Sequence, residues 1–265
     1  MTMELALEAR GISVELGGRL VVDGVDFSAA AGSITAIVGP NGSGKTSLLR
    51  ALGGLVPFEG HVSYGARNLS SASPAERAEL RAYLPQASAL RAMLSVREVV
   101  ALARYAQRPG LFSRSRVEDA EAIERALERT GALGLAAQAF PTLSGGQQRL
   151  VLLARALAGG ARVLLLDEPT ASLDVKHALR LFELLGSLAG DGYAIVVVLH
   201  DLDDVQRHAT SSLLLDGGRA RITAPPTALP FRQAAEAVYG VELVDADRIG
   251  FRSKASSRAS ATGSA

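Results

Sequence analysis

The chain contains no cysteine and no tryptophan. Without cysteine there is no disulfide framework, no thiolate metal site and no thiol nucleophile, a usage that fits a reducing compartment. An excess of charge of one sign is also missing: 28 Lys and Arg face 27 Asp and Glu, for a formal net charge of +1. Proteins whose main task is to grip phosphate backbones carry a basic excess, so nucleic acid is not an expected partner. Long apolar runs are lacking too. The densest stretch, LVLLARALAGGARVLLL, is interrupted by Arg155 and Arg162 and falls short of the ~20 residues a membrane helix needs. The opening MTMELALEARG is broken by Glu4, Glu8 and Arg10, so it lacks the apolar region of a secretory signal. These absences predict a soluble chain that reaches a membrane only by docking on something already there.

Hydrophobic residues, by contrast, make up 48% of 265 residues, which suffices for a proper core. At ~100–200 residues per domain the length suits one domain carrying a lobe. Three short runs are apolar without alternation: ITAIV (34–38), VLLL (163–166) and AIVVVL (194–199). Strands covered on both faces read this way, so a parallel sheet between helices is expected, with its working edge at the strands' C-terminal ends. Roughly residues 4–30 and 60–66 alternate more, with turns at Gly17-Gly18 and Gly24, and suggest an antiparallel β layer. The stretches SPAERAELRAY, SVREVVALARYAQR and SRVEDAEAIERALERTGAL carry helical periodicity and predict an inserted helical lobe. The tail after Phe251, RSKASSRASATGSA, has no apolar periodicity and is expected to be disordered.

GPNGSGKT at 39–46 fits G-x-x-x-x-G-K-[ST] at each defined position, between the strand ITAIV and the helix-like TSLLRAL. Gly39, Gly42 and Gly44 would let backbone N–H groups turn inward around phosphate oxygens. Lys45 could reach the β/γ phosphates and the Thr46 hydroxyl could ligate Mg²⁺ at a helix N-terminus. VLLLDEP sets Asp167 and Glu168 at the mouth of a buried strand. There Asp167 suits Mg²⁺ and Glu168 suits polarising a water, unless the pair only caps the next segment. His200 closes the strand AIVVVL at the same sheet edge, as a phosphate contact or as a plain surface residue. His61, His177 and His208 show no metal-ligand spacing. LSGGQ (143–147) opens the helix-like QQRLVLLARALA and offers a second anion cradle, or a Gly-capped turn. One nucleotide needs one cradle, so a second implies more than simple P-loop chemistry.

Taken together, these segments resemble the ATP-binding subunit of ABC transporters, from about residue 5 to about 243. GPNGSGKT is similar to the family's Walker A, Gln86 in YLPQ to its Q-loop and LSGGQ to its signature. VLLLDEP resembles Walker B, SLD (172–174) the D-loop and His200 the switch histidine. The resemblance implies an α/β fold: a P-loop ATPase core with a mainly parallel sheet, an antiparallel β layer and an inserted helical lobe. It implies a single ATPase domain over 4–250, with the lobe at about 87–146 and a disordered tail at 252–265. The implied activity is ATP hydrolysis that energises a permease. Glu168, His200, Gln86 and Lys45 would be catalytic, and Thr46, Gln86 and Asp167 would hold Mg²⁺. ATP would be cradled by Gly39, Pro40, Asn41, Gly42, Ser43, Gly44, Lys45, Thr46 and Ser47, with Leu16 near the base. In a head-to-tail, ATP-dependent dimer the second copy would add Ser144, Gly145, Gly146, Gln147 and Asp174.

Within the family, SVREVVALARY, HDLDDVQRHA and VYGVE (238–242) are similar to importers of iron–siderophore, haem and cobalamin. That implies an integral membrane permease as partner, an extracytoplasmic solute-binding protein acting indirectly, and a peripheral place on the cytoplasmic face of the cell membrane. The alternatives are a soluble ABC-type ATPase for complex assembly, and a subunit of an export or lipoprotein-extraction system. Apolar Leu90, Met93 and Leu94 are candidates for the permease contact, or pack the lobe. Two departures stand out. Leu16 occupies the place where relatives present an aromatic residue to adenine, leaving only apolar contact. After the signature, Arg149 comes one place early and Leu150 takes the usual Arg position.

Overall fold

A two-residue turn at Gly17-Gly18 folds the start of the chain into a long hairpin, β1 (Leu5–Leu16) and β2 (Arg19–Ala30). Val25, Phe27 and Ala29 of β2 are buried while their neighbours face solvent, the pattern of a sheet with one dry face. The computed structural model describes residues 5–86, 92–105, 116–171, 173–243 and 251–253. β3 (Ser33–Val38) is buried at all six positions and leads through the glycine-rich loop into α1 (Lys45–Leu52). β4 (Glu59–Tyr64) and β5 (Arg67–Asn68) then complete a four-stranded antiparallel sheet in the order β2-β1-β4-β5.

After α2 (Pro74–Leu80) and β6 (Arg81–Leu84) the chain runs through three helices: α3 (Val96–Tyr105), α4 (Arg116–Thr130) and α5 (Gly145–Ala158). It returns as β7 (Val163–Asp167), α6 (Val175–Gly190), β8 (Ala194–Val198) and α7 (Leu202–His208). β9 (Ser211–Asp216), β10 (Arg219–Ala224) and α8 (Leu229–Tyr239) follow. The second sheet has the order β10-β9-β3-β8-β7-β6, with only the β10 edge antiparallel. This is the expected α/β architecture. The C-terminal ends of β3, β7 and β8 lie side by side, and they carry the glycine loop, Asp167–Glu168 and His200.

Three apolar cores hold the layers together. Between the sheets, Leu48, Leu49 and Leu52 of α1 are fully buried against Val25, Phe27 and Val196. Each such leucine is worth about 1.5–3 kcal/mol of transfer free energy. On the other face Leu181, Leu185 and Leu188 of α6 join Val205 and Phe231. In the lobe Val96, Val100, Leu127, Phe140 and Val151 form the third core. Helix α5 belongs to two of them. Val151, Ala154 and Ala158 pack in the lobe, while Leu153 and Ala156 pack under the parallel sheet.

Two expectations need correction. SPAERAELRAY is helical only to Leu80. Ser73 caps it and Glu76 returns the bond, but Arg81 turns extended (φ −145°) and RAYL becomes the sheet-edge strand β6 beside β7. Pairing with a buried neighbour outweighs the helical periodicity there. The supposed tail starts too early as well: Phe251–Ser253 form β12, antiparallel to β11 (Val241–Leu243). Residues 254–265 lie outside the described residues.

Candidate functional site

Loop 39–44 follows β3 because its glycines accept backbone geometry that a side chain would prevent. Gly39 (φ 153°) and Gly44 (φ 98°) are the tight points: a Cβ would come to 2.0 Å from the Leu215 carbonyl oxygen and to 2.5 Å from that of Val21, respectively. The loop ends at the N-terminus of α1, where Lys45 is buried and donates to the Gly39 and Pro40 carbonyls at 2.8 and 2.9 Å. Burial pushes the Lys45 pKa down, while the carboxylates of Glu168 and Asp167 act the other way. Gly42, Gly44, Lys45 and Thr46 share a cleft of about 500 Å³ with Glu168 and His200. A loop of left-handed glycines, a helix N-terminus and a buried lysine fit a polyphosphate.

Across the cleft Asp167 is only 2% exposed, and both its oxygens are engaged. Thr46 Oγ1 donates to Oδ1 at 2.9 Å, and the Tyr83 hydroxyl donates to Oδ2 at 2.9 Å. Tyr83 in turn accepts from Arg50 Nε at 3.3 Å. Thr46 and Asp167 thus present adjacent oxygens, the hard donor set that suits Mg²⁺. Glu168 has φ 46°, the only positive φ outside glycine among the described residues. Backbone strain of this kind costs about 1–3 kcal/mol and persists where its surroundings fix it. Here both carboxylate oxygens are held: Gln86 Nε2 donates to Oε2 at 2.6 Å, and His200 Nε2 lies 2.5 Å from Oε1. Gln86 donates through its amide nitrogen, which leaves its amide oxygen available to a cation.

The segment expected to form a second cradle lies elsewhere. Ser144 caps α5 by accepting from the Gln147 N–H, and Gln147 Oε1 accepts from the Ser144 N–H in return. Gly146 packs against the His177 ring, and both the backbone and the ring of His177 bond to Asp174, the N-cap of α6. None of Ser144, Gly145, Gly146, Gln147 or Asp174 lines the Lys45 cleft. Leu16 does not line it either: it sits at the hairpin tip opposite Arg19, and Arg19, Leu20 and Val21 form that wall. Tyr83 was not among the expected site residues, although it shares the YLPQ segment with Gln86. His177, which showed no context in the sequence, links Asp174 to Gly146. Arg149 finds its partners in the backbone carbonyls of Pro85 and Gln86. Met93 is 75% exposed, Leu94 packs on the lobe core, and Leu90 and Ser172 lie outside the described residues.

The family model described as "ABC transporter" matches residues 22–171, more than half of the chain. The chain belongs to the ABC transporter family. Like other ABC ATPases, it binds ATP and couples its hydrolysis to transport. Among its relatives, a hemin import ATP-binding protein of Mesorhizobium japonicum is 41% identical over 245 residues, covering 89% of this chain and 92% of that one. One of the same description from Streptomyces coelicolor is 44% identical over 225 residues, covering 84% and 79%. Among solved structures, a dimeric ATP-binding cassette in a post-hydrolysis state with ADP and Pi is 26% identical, with a TM-score of 0.73. It covers 83% of this ABC chain and 98% of its own.

Proposed function

We propose that the chain is the ATP-hydrolysing subunit of an importer for a bulky iron chelate, hemin first, and that it works as a head-to-tail dimer beneath a membrane permease. The observation that carries the paired arrangement is the separation of the two cradles. The Ser144 cradle does not line the cleft of Lys45, which supports reading one chain as two half-sites. The hemin import relatives, at 38–44% identity, support the cargo. No helix among the described residues is long and apolar enough to cross a membrane, which suits a peripheral subunit on the cytoplasmic face. A solute-binding protein would deliver the chelate from the other side. Exposed Met93 is the remaining described candidate for the permease contact.

In this reading the loop amides and Lys45 hold the β and γ phosphates, and Leu20 with the hairpin wall borders the nucleotide. Thr46, Gln86 and Asp167 would hold Mg²⁺, which when bound neutralises phosphate charge. Glu168, fixed by Gln86 and His200, takes the proton of the attacking water. His200 is placed to pass from Glu168 to a γ-phosphate oxygen. Ser144, Gly145, Gly146 and Gln147 of the second copy close over the same phosphate, with its Asp174 beside them.

The test is uptake into vesicles that carry permease and binding protein, with ATP inside. Hemin is expected to enter, and this chain alone should ignore hemin. Uptake of an unrelated sugar only, or movement away from the ATP side, would overturn the importer reading while leaving the ATPase intact. Entry of cobalamin without hemin would overturn the cargo alone.

A further inference from the structure

Among the described residues only two cations are buried, Lys45 and Arg149. The phosphate site uses Lys45 and gives no account of Arg149. The Arg149 guanidinium lies under the Q-loop, where it donates to the Pro85 and Gln86 carbonyls, each at 2.5 Å. No ion pair supports it among the described residues. Asp167 acts on it through space, and burial pushes its pKa down. A desolvated guanidinium is an expensive way to pin a loop, since an apolar side chain of similar volume packs at less cost. What the arginine adds is a fixed fork that grips two consecutive carbonyls at once.

That grip adds a polar tie between two parts of the site that already share the core of Leu84 and Leu153. On one side is Gln86, whose side chain holds Glu168, which in turn meets His200. On the other is α5, whose N-cap Ser144 stands five residues before Arg149. One unbroken run of contacts therefore leads from the second cradle to the carboxylate of the first. The place of the arginine on α5 decides this reach, because a shift of one residue turns a side chain by roughly 100° around a helix.

We propose that Arg149 is a positioning residue that makes the poise of Glu168 depend on the seat of α5. Resting on the paired-site reading, it couples the two ATP sites. The ATP gripped by one copy's Ser144 lies in the other copy's Lys45 cleft, so its arrival sets the Glu168 of the copy that grips it. Reciprocal linkage of this kind shows as cooperative turnover.

The test compares wild type with Arg149→Met, measuring ATPase rate against ATP concentration, ADP affinity and melting temperature. The Met variant is expected to lose kcat by about 10-fold to 100-fold, as displacement of a catalytic group does. Its Hill coefficient should fall to one, with ADP affinity within about twofold of wild type because Lys45 is untouched, and with a melting temperature lowered by no more than a few degrees, since two carbonyls lose their donor while a desolvated charge is removed. Arg149→Lys, which keeps the charge but not the fork, covers a Met variant that does not fold, and it too should lose cooperativity while holding ADP. A cooperative Met variant with wild-type kcat overturns the coupling, as does parallel loss of melting temperature, ADP binding and turnover in both variants. A wild type that turns over without cooperativity and never dimerises overturns the paired-site reading itself, and the coupling with it.

Discussion

At residue 168 a strained backbone and a doubly held side chain meet, and two substitutions separate them. Glu168→Gln keeps the shape but removes the oxygen that accepts a proton. Because Gln86 already donates to Oε2, the new amide nitrogen must face His200, whose Nε2 then has to accept. The variant should therefore keep its fold and bind ATP, with turnover reduced by about 10²–10⁴. It should also accumulate as an ATP-dependent dimer in size-exclusion chromatography; wild-type turnover would remove Glu168 from its role. Glu168→Gly instead relieves the φ of 46°. It should be equally inactive, yet more stable than Glu168→Ala by up to about 1 kcal/mol in denaturant melting, because both variants lose the two side-chain bonds and only glycine relieves the strain.

Among the elements, α5 and the lobe it anchors have the most to lose from a single truncation. Phe140 is fully buried between α3, α4 and α5. Phe140→Ala should cost about 3–5 kcal/mol in chemical denaturation. Loss of less than about 1 kcal/mol would mean that the lobe contributes little to the global transition. The lobe helices were legible in the sequence because their periodicity is strong, and the three buried strands because their apolar runs are short and unbroken: ITAIV, VLLL and AIVVVL became β3, β7 and β8. β6 was not, because its four residues follow a capped helix without a break and only the neighbouring strand makes them extended. The site divides the same way. Glycine spacing and the Asp167–Glu168 pair can be read from local chemistry. The bonds of Tyr83 and Arg149 reach across 84 and 64 positions, and no local pattern announces them.

For the whole molecule, the proposed pairing of two half-sites would make activity a property of pairs. A chain with Ser144→Arg and a chain with Glu168→Gln should each be inactive alone. Mixed, they form some dimers with one intact composite site, and up to about a quarter of wild-type activity should return under random pairing. No recovery on mixing would place both cradles' work in one chain. The same geometry gives the lobe leverage. α5 has one face in each of two cores, and its stretch from Arg149 back to Ser144 is about 7.5 Å long at 1.5 Å per residue. A tilt of about 10° pivoting at Arg149 swings Ser144 through roughly 1.3 Å. That exceeds the span of about half an ångström over which an N–H donor holds its acceptor. In the proposed assembly, a nudge of a few degrees on the lobe by the permease would decide whether the second cradle touches phosphate.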